Sequence, residues 1–186
     1  MIDNSLSSRL KEETKKAHQE LEKKVILKMK AIRSDADYAD FLNSFYNYFH
    51  AIEQVITPYV TEDVLPDHAD RRNSKYLKLD IEALGSQVKL LSEITVPKIE
   101  TLAQAMGAMY VLEGSIMGGP IIVDILQKYG ITKGFSFFSG YGEKTGKMWK
   151  NFISVLNTYV VSPIDQQVAI EAANQTFNNF QQVFKD

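Results

Sequence analysis

An all-α, single-domain multi-helix bundle is the fold this sequence predicts. Apolar residues recur every three or four positions through most of the chain, and strict apolar–polar alternation is missing even from the aromatic-rich stretch. Capping residues, prolines and glycines stand where the periodic runs begin and end. With 186 residues, 45% of them hydrophobic, the chain suffices for one substantial core and is short for two, so the domain is expected to span residues 1–186.

Ser7 or Ser8 is placed to cap a first helix on which Leu10, Thr14, Ala17, Leu21 and Val25 share a face, reaching Met29. Asp35 or Asp37 starts a second, whose stripe of Phe41, Leu42, Phe45, Tyr48, Phe49 and Ile52 reads as core and ends near Pro58. Tyr76, Leu79, Leu84, Val88 and Leu91 predict one or two shorter helices interrupted around Gly85. Pro97 suits a first helical turn, and apolar residues then run almost continuously from Ile99 to Leu126, which predicts a long, central, buried helix. Gly130, Gly134, Gly140 and Gly142 mark a loop, after which Trp149, Phe152, Ile153 and Leu156 restore the helical period. Ser162-Pro163 caps and opens a last helix carrying Val168, Ala172, Phe177, Phe180 and Phe184.

Cysteine is absent, which excludes disulfide scaffolds, thiolate metal sites, iron–sulfur clusters and cysteine nucleophiles together. A net charge of −2 does not suit a general nucleic-acid binder, although lysines gather near the N-terminus. No apolar run approaches membrane-spanning length, and a soluble, cytoplasmic protein without membrane attachment is expected. The remaining metal ligands are histidines and carboxylates. Neither a Glu-x-x-His spacing nor a His-Glu-x-x-His motif occurs, which argues against dinuclear carboxylate and zinc-protease sites.

Of the three histidines, His18 is the candidate ligand: it sits on a helix with a carboxylate, Glu22, one turn later on its face. A neutral imidazole in that setting can bind iron through one nitrogen while the other donates to an acceptor that fixes the tautomer. Lys15 and Lys11 lie one and two turns earlier on the same side, placed to meet two carboxylates of a ligand. The same stripe also reads as an ordinary solvated helix face with Lys–Glu pairing. His50 belongs to the aromatic stripe and fits a satisfied core histidine, and His68 falls in a polar loop.

The run Tyr110-Val-Leu-Glu-Gly-Ser-Ile-Met-Gly-Gly-Pro120 puts glycines inside the long apolar helix, each costing about 1 kcal/mol relative to alanine. Gly107, Gly114 and Gly118 fall within about 40° on a helical wheel, making a groove without side chains. Pro120 after Gly118-Gly119 predicts a kink. Such a face suits a flat ligand lying on the backbone, or equally close packing between helices. Met117 faces the same region or fills a gap.

Together, Leu10-Lys-Glu-Glu-Thr-Lys-Lys-Ala-His-Gln-Glu-Leu-Glu22 and Tyr110-Val-Leu-Glu-Gly-Ser-Ile-Met-Gly-Gly119 resemble the proximal and distal helix motifs of the haem oxygenase family, particularly its bacterial, biliverdin-producing members. The resemblance implies a helical bundle with haem between a proximal and a kinked distal helix. It implies His18 as iron ligand, Glu22 as its acidic partner, and Lys11 and Lys15 as cations for the haem propionates, with Lys150 as a further basic position. Gly114, Gly118 and Gly119 match the distal glycines, and Ser115 stands where many members carry an aspartate.

The resemblance also implies an activity. Haem is both substrate and cofactor, and dioxygen with electrons from a ferredoxin or an NAD(P)H-dependent reductase converts it to biliverdin, carbon monoxide and ferrous iron. A phytochrome is one recipient of such a bilin. Lys11, Lys15, Lys16, Lys23 and Lys24 offer either a docking surface for an acidic electron donor or a solubilising face. A haem-binding, storage or sensor protein of the same fold is the alternative, and the missing distal acid is its best argument.

Overall fold

The computed structural model describes residues 5–184; the expected domain limits at 1 and 186 lie outside them. Among the described residues there are eight α-helices and no strand: α1 (Leu6–Glu13), α2 (Lys15–Lys30), α3 (Asp35–Ile56), α4 (Ser74–Ala83), α5 (Leu102–Gly114), α6 (Gly119–Lys128), α7 (Thr145–Tyr159) and α8 (Pro163–Gln181).

The first expected helix is two. Ser5, upstream of the expected caps, accepts from the Ser8 amide and starts α1. The Leu10 carbonyl accepts both the Thr14 amide at 3.0 Å and the Thr14 hydroxyl at 2.7 Å, and the ladder lapses just after it, where the Glu13 carbonyl accepts from Asn174 of α8 at 3.2 Å and α1 gives way to α2. α3 begins after the Ser34 cap, with Asp35 and Asp37 complementing the helix dipole in its first turn, and its aromatic stripe is core as expected.

Only one helix, α4, follows before Gly85, which takes a left-handed φ of 78°. The second helix expected around Val88 and Leu91 does not form; side chains of α3 bond that segment's backbone instead. The Lys89 amide donates to Asn43 Oδ1 at 2.7 Å, and the Asn47 side chain bonds both the Lys89 carbonyl at 2.8 Å and the Leu91 amide at 2.9 Å.

The central helix starts at Leu102 instead of Ile99, because Thr101 and Gln104 form a reciprocal capping box. Pro97 therefore lies outside it. The helix is also broken: a 3-10 turn spans Ser115–Met117, and α6 leaves at 43° to the preceding segment. Pro120 marks the first turn of α6, where its missing N–H is harmless, so the bend comes from the turn before it.

One core runs from Leu6 to Phe184, with the Phe45 ring packed against Phe41, Phe49, Phe137, Phe138, Phe180 and Phe184. Among the described residues α5 packs most extensively against α8. Gly107 makes it possible: a Cβ there would lie 2.0 Å from the Ala169 carbonyl oxygen. No single helix among the described residues is long and apolar enough to cross a membrane, and α5 is buried as a core helix.

Gly107→Ala is expected to lower stability by about 1–3 kcal/mol through this backbone clash, read from urea denaturation. Gly146→Ala on α7, where a Cβ meets nothing within 4 Å, is expected to leave stability unchanged or raise it by up to about 1 kcal/mol.

Candidate active site

His18 lies on the exposed face of α2, its ring edge resting on buried Phe177 of α8 with centroids 5.4 Å apart. Among the described residues neither ring nitrogen has a hydrogen bond, so both are available. Glu22 is exposed one turn along. The break at Thr14 assigns Lys11 to α1 and Lys15 to α2. Lys15 is 4.0 Å from Glu12, with both side chains well exposed, a pairing weak enough to yield to a better anion.

The glycines sort into two kinds. Gly107 and Gly119 accommodate the protein itself: a Cβ on Gly119 would sit 2.0 Å from the Phe138 carbonyl oxygen. Gly118 meets nothing within 4 Å, and Gly114 only the Trp149 ring at 3.7 Å. The expected three-glycine groove thus loses Gly107 to α8, while Gly114 and Gly118 keep accessible backbone. Apolar Met117 and Ile121 flank Gly118 and are 57% and 65% exposed. Lys150 is exposed on α7 beside Trp149, whose ring also packs on Tyr110. α2 and α5 each pack on α8 while forming no packed pair with one another among the described residues.

Ser115 faces inward chemically. Its hydroxyl donates to the Leu112 carbonyl at 2.6 Å and accepts from Arg72 Nη2 at 2.6 Å.

A polar network lies against the part of α5 turned away from Gly114. Arg71, 3% exposed, donates to Glu113 Oε2 at 2.6 Å, to both Asp67 oxygens and to the Met148 carbonyl. Tyr141 donates to Glu113 and accepts from the Arg72 amide. Burial brings the Arg72 guanidinium down to about 10, with Glu113 opposing the shift, and burial raises the Tyr141 phenol and the Glu53 carboxyl. Glu53 accepts from the Ser74 amide and hydroxyl, and His50 stacks on Tyr46 with Nδ1 at 3.3 Å from Ser74 Oγ. His50, Glu53, Arg71 and Arg72 line a 410 Å³ cavity with Met109 and Leu112. By the helical step of about 100° per residue, Met109 and Leu112 oppose Gly114 on α5.

The family model described as Heme oxygenase matches residues 4–186. The chain belongs to the haem oxygenase family. It is 25% identical over 179 residues to Heme oxygenase PigA of Pseudomonas aeruginosa, covering 95% of this chain and 90% of that one. To a haem oxygenase of Xanthomonas campestris pv. campestris it is 27% identical over 149 residues, 78% of this chain and 88% of the relative. Its fold superposes on a solved NO- and CO-bound haem oxygenase of Neisseria meningitidis with a TM-score of 0.83 at 20% identity, covering 97% of this chain and 90% of that one. For the enzyme of Leptospira interrogans the TM-score is 0.75 at 18% identity, covering 97% and 98%. The all-α bundle is therefore the haem oxygenase fold.

Sequence reasoning passed over Arg71, Arg72, Glu113 and Tyr141. The one available signal was Glu113, a carboxylate within an otherwise apolar run, which in a buried helix demands a cation.

Three expected outcomes separate these features, all read from urea denaturation of haem-free protein. Gly118→Ala is expected to stay within about 0.5 kcal/mol of wild type, whereas Gly119→Ala loses about 1–3 kcal/mol. Glu113→Gln, which leaves Arg71 without its buried counter-charge, is expected to lose about 3–5 kcal/mol.

Proposed function

We propose that this haem oxygenase cleaves haem to biliverdin, carbon monoxide and ferrous iron, with His18 as the single protein ligand of the iron. The observation that carries the assignment is His18 itself: an exposed imidazole with both nitrogens uncommitted, seated on α8, the helix that also packs against the glycine-bearing α5. An iron held by one histidine must bring its other ligands with it, as a porphyrin does. The accessible backbone at Gly114 and Gly118 and the exposed side chains of Met117 and Ile121 suit a flat, apolar ring.

Bound haem supplies dioxygen activation and the carbon that is attacked. The chain supplies placement. His18 would hold the iron through one ring nitrogen, and Glu22, on the same face, would accept from the other and fix the tautomer. Lys11, Lys15 and Lys150 offer ammonium groups to the two propionates. On the other side Gly118 and Gly114 present backbone without side chains, and Gly119 seats the start of α6 against Phe138. Ser115 does not act as a substitute acid in this arrangement, because its proton is already committed to the Leu112 carbonyl. Its contribution is to shape the turn, which leaves solvent as the proton source, with backbone amides able only to orient it by hydrogen bonding.

Electrons come from a ferredoxin or an NAD(P)H-dependent reductase, for which Lys11, Lys15, Lys16, Lys23 and Lys24 form a basic approach surface. A cytoplasmic setting, delivery of the bilin to a phytochrome, and one domain over residues 1–186 belong to the same proposal.

Titration of the haem-free protein with haemin is expected to saturate at one equivalent with a histidine-ligated Soret band. His18→Ala is expected to weaken binding by roughly tenfold or more; an unchanged spectrum and affinity in that variant removes the ligand assignment. With reductant and oxygen the Soret band is expected to bleach as a bilin absorbance grows. A band that persists under those conditions points instead to a storage or sensor protein.

A further inference from the structure

We propose that Arg72 is a positioning residue for the distal helix, a buried clamp that fixes where α5 stops and how Gly118 and Gly119 are presented. The proposal deepens the reading of the glycine face as the oxygen side of the haem site. Its clamp geometry, however, is a property of the haem-free protein.

Arg72 ends the loop before α4 and is 7% exposed. Its guanidinium lies 3.9 Å from the centre of the Phe137 ring. Nη1 donates to the Phe137 carbonyl at 2.9 Å, and Nη2 donates to the Leu112 carbonyl at 3.0 Å and to Ser115 Oγ at 2.6 Å. These three acceptors flank the break. Leu112 and Ser115 close α5, and Phe137 precedes Phe138, whose carbonyl is the surface on which Gly119 rests. One rigid, planar group therefore spans both sides of the step from α5 to α6.

The choice of Leu112 explains the position of the break. The last α-type hydrogen bond of α5 runs from the Ser115 amide to the Val111 carbonyl. The next acceptor in line is the Leu112 carbonyl, and it is held by Arg72 and by the Ser115 hydroxyl. The chain then tightens into the 3-10 turn Ser115–Met117.

The other groups around Arg72 show that it is not placed to form an ion pair. Among the described residues no carboxylate forms an ion pair with its guanidinium; Glu113 is taken by Arg71 and Tyr141, and Glu53 by Ser74. Its Nε is buried without a hydrogen-bond partner. A buried cation with this cost is retained for geometry, and only a bidentate fork reaches all three acceptors, which a lysine ammonium cannot do. Phe137 is kept in place independently, since its amide and the Ser136 amide both donate to Asp80.

The decisive experiment is amide hydrogen exchange on haem-free Arg72→Lys, Arg72→Gln and Ser115→Ala, followed by haem titration and product analysis. In Arg72→Lys, amides of residues 116–119 are expected to exchange about tenfold faster or more, with α2 around His18 unchanged. Haem affinity is expected to stay within about threefold of wild type, because the His18 side is untouched. The ratio of biliverdin isomers is expected to shift. Unchanged exchange at 116–119 in a folded Arg72 variant overturns the proposal, as does an increase shared equally by α2 and α5. Should both Arg72 variants fail to fold, Ser115→Ala decides by the same criterion, since it removes one acceptor of the clamp and no charge. If wild-type protein does not cleave haem, the functional reading fails while the exchange result still stands.

Discussion

The polar bracket formed by Arg71 and Arg72 is the interaction on which the site depends. Two adjacent guanidinium groups, both buried, point into different sets of partners: Arg71 into the carboxylates of Asp67 and Glu113, Arg72 into carbonyls of α5 and of the loop before α7. Burying charge in this way is unfavourable unless every partner is in place. That requirement is also what makes it specific, because α5, α7 through the Met148 carbonyl, and the segment 136–141 must dock in one arrangement or leave buried guanidinium N–H groups without acceptors. Apolar packing alone, with its tolerance for sliding helices, does not impose a unique end on α5.

From that constraint the division among the glycines follows. Once α5 is pinned to α8 at Gly107 and the 137–138 backbone is pinned by Arg72 and Asp80, Gly119 has no room for a side chain. Gly114 and Gly118, between these two anchor points, carry no such burden. The packed core does not require their lack of side chains, so the packing reading applies to Gly107 and Gly119, and Gly114 and Gly118 are the members for which a ligand is proposed.

Much of the fold was legible in the sequence because periodicity and caps are local. The stripe from Phe41 to Ile52, the Ser162-Pro163 start and the punctuation at Gly85 all appear where they were expected. The misses share a cause: each is a side chain reaching for backbone that periodicity treats as self-sufficient. Asn174 takes the Glu13 carbonyl where the first helix splits; Asn43 and Asn47 take the 89–91 backbone where a helix was expected; Arg72 and Ser115 take the Leu112 carbonyl where the central one breaks. For the site, His18 and the glycine run could be singled out from their local pattern and their order along the chain. The arginine bracket could not: Asp67 lies four residues from Arg71 and Glu113 signals that some cation is needed, but the pairing of Glu113, Leu112, Ser115 and Phe137 with these arginines joins segments distant in sequence.

The same bracket bears on the acid that is missing after Gly114. A carboxylate is in fact present at the preceding position, Glu113, but it is 3% exposed and held by Arg71 and Tyr141. One helical step of about 100° separates it from Gly114, enough to place it inside the core and not on the accessible face. Ser115, on the other flank, is turned to Leu112 and Arg72. Both polar residues bordering Gly114 are thus held inward by arginines, and the accessible surface is left with backbone, Met117 and Ile121. A face without an acid does not drive O–O bond cleavage by proton donation, and on that ground it suits an oxygenase better than a peroxidase. The absence of a distal acid is then not a gap awaiting a substitute residue: the neighbouring polar groups are positively held elsewhere, and the same contacts that hold them make the bend.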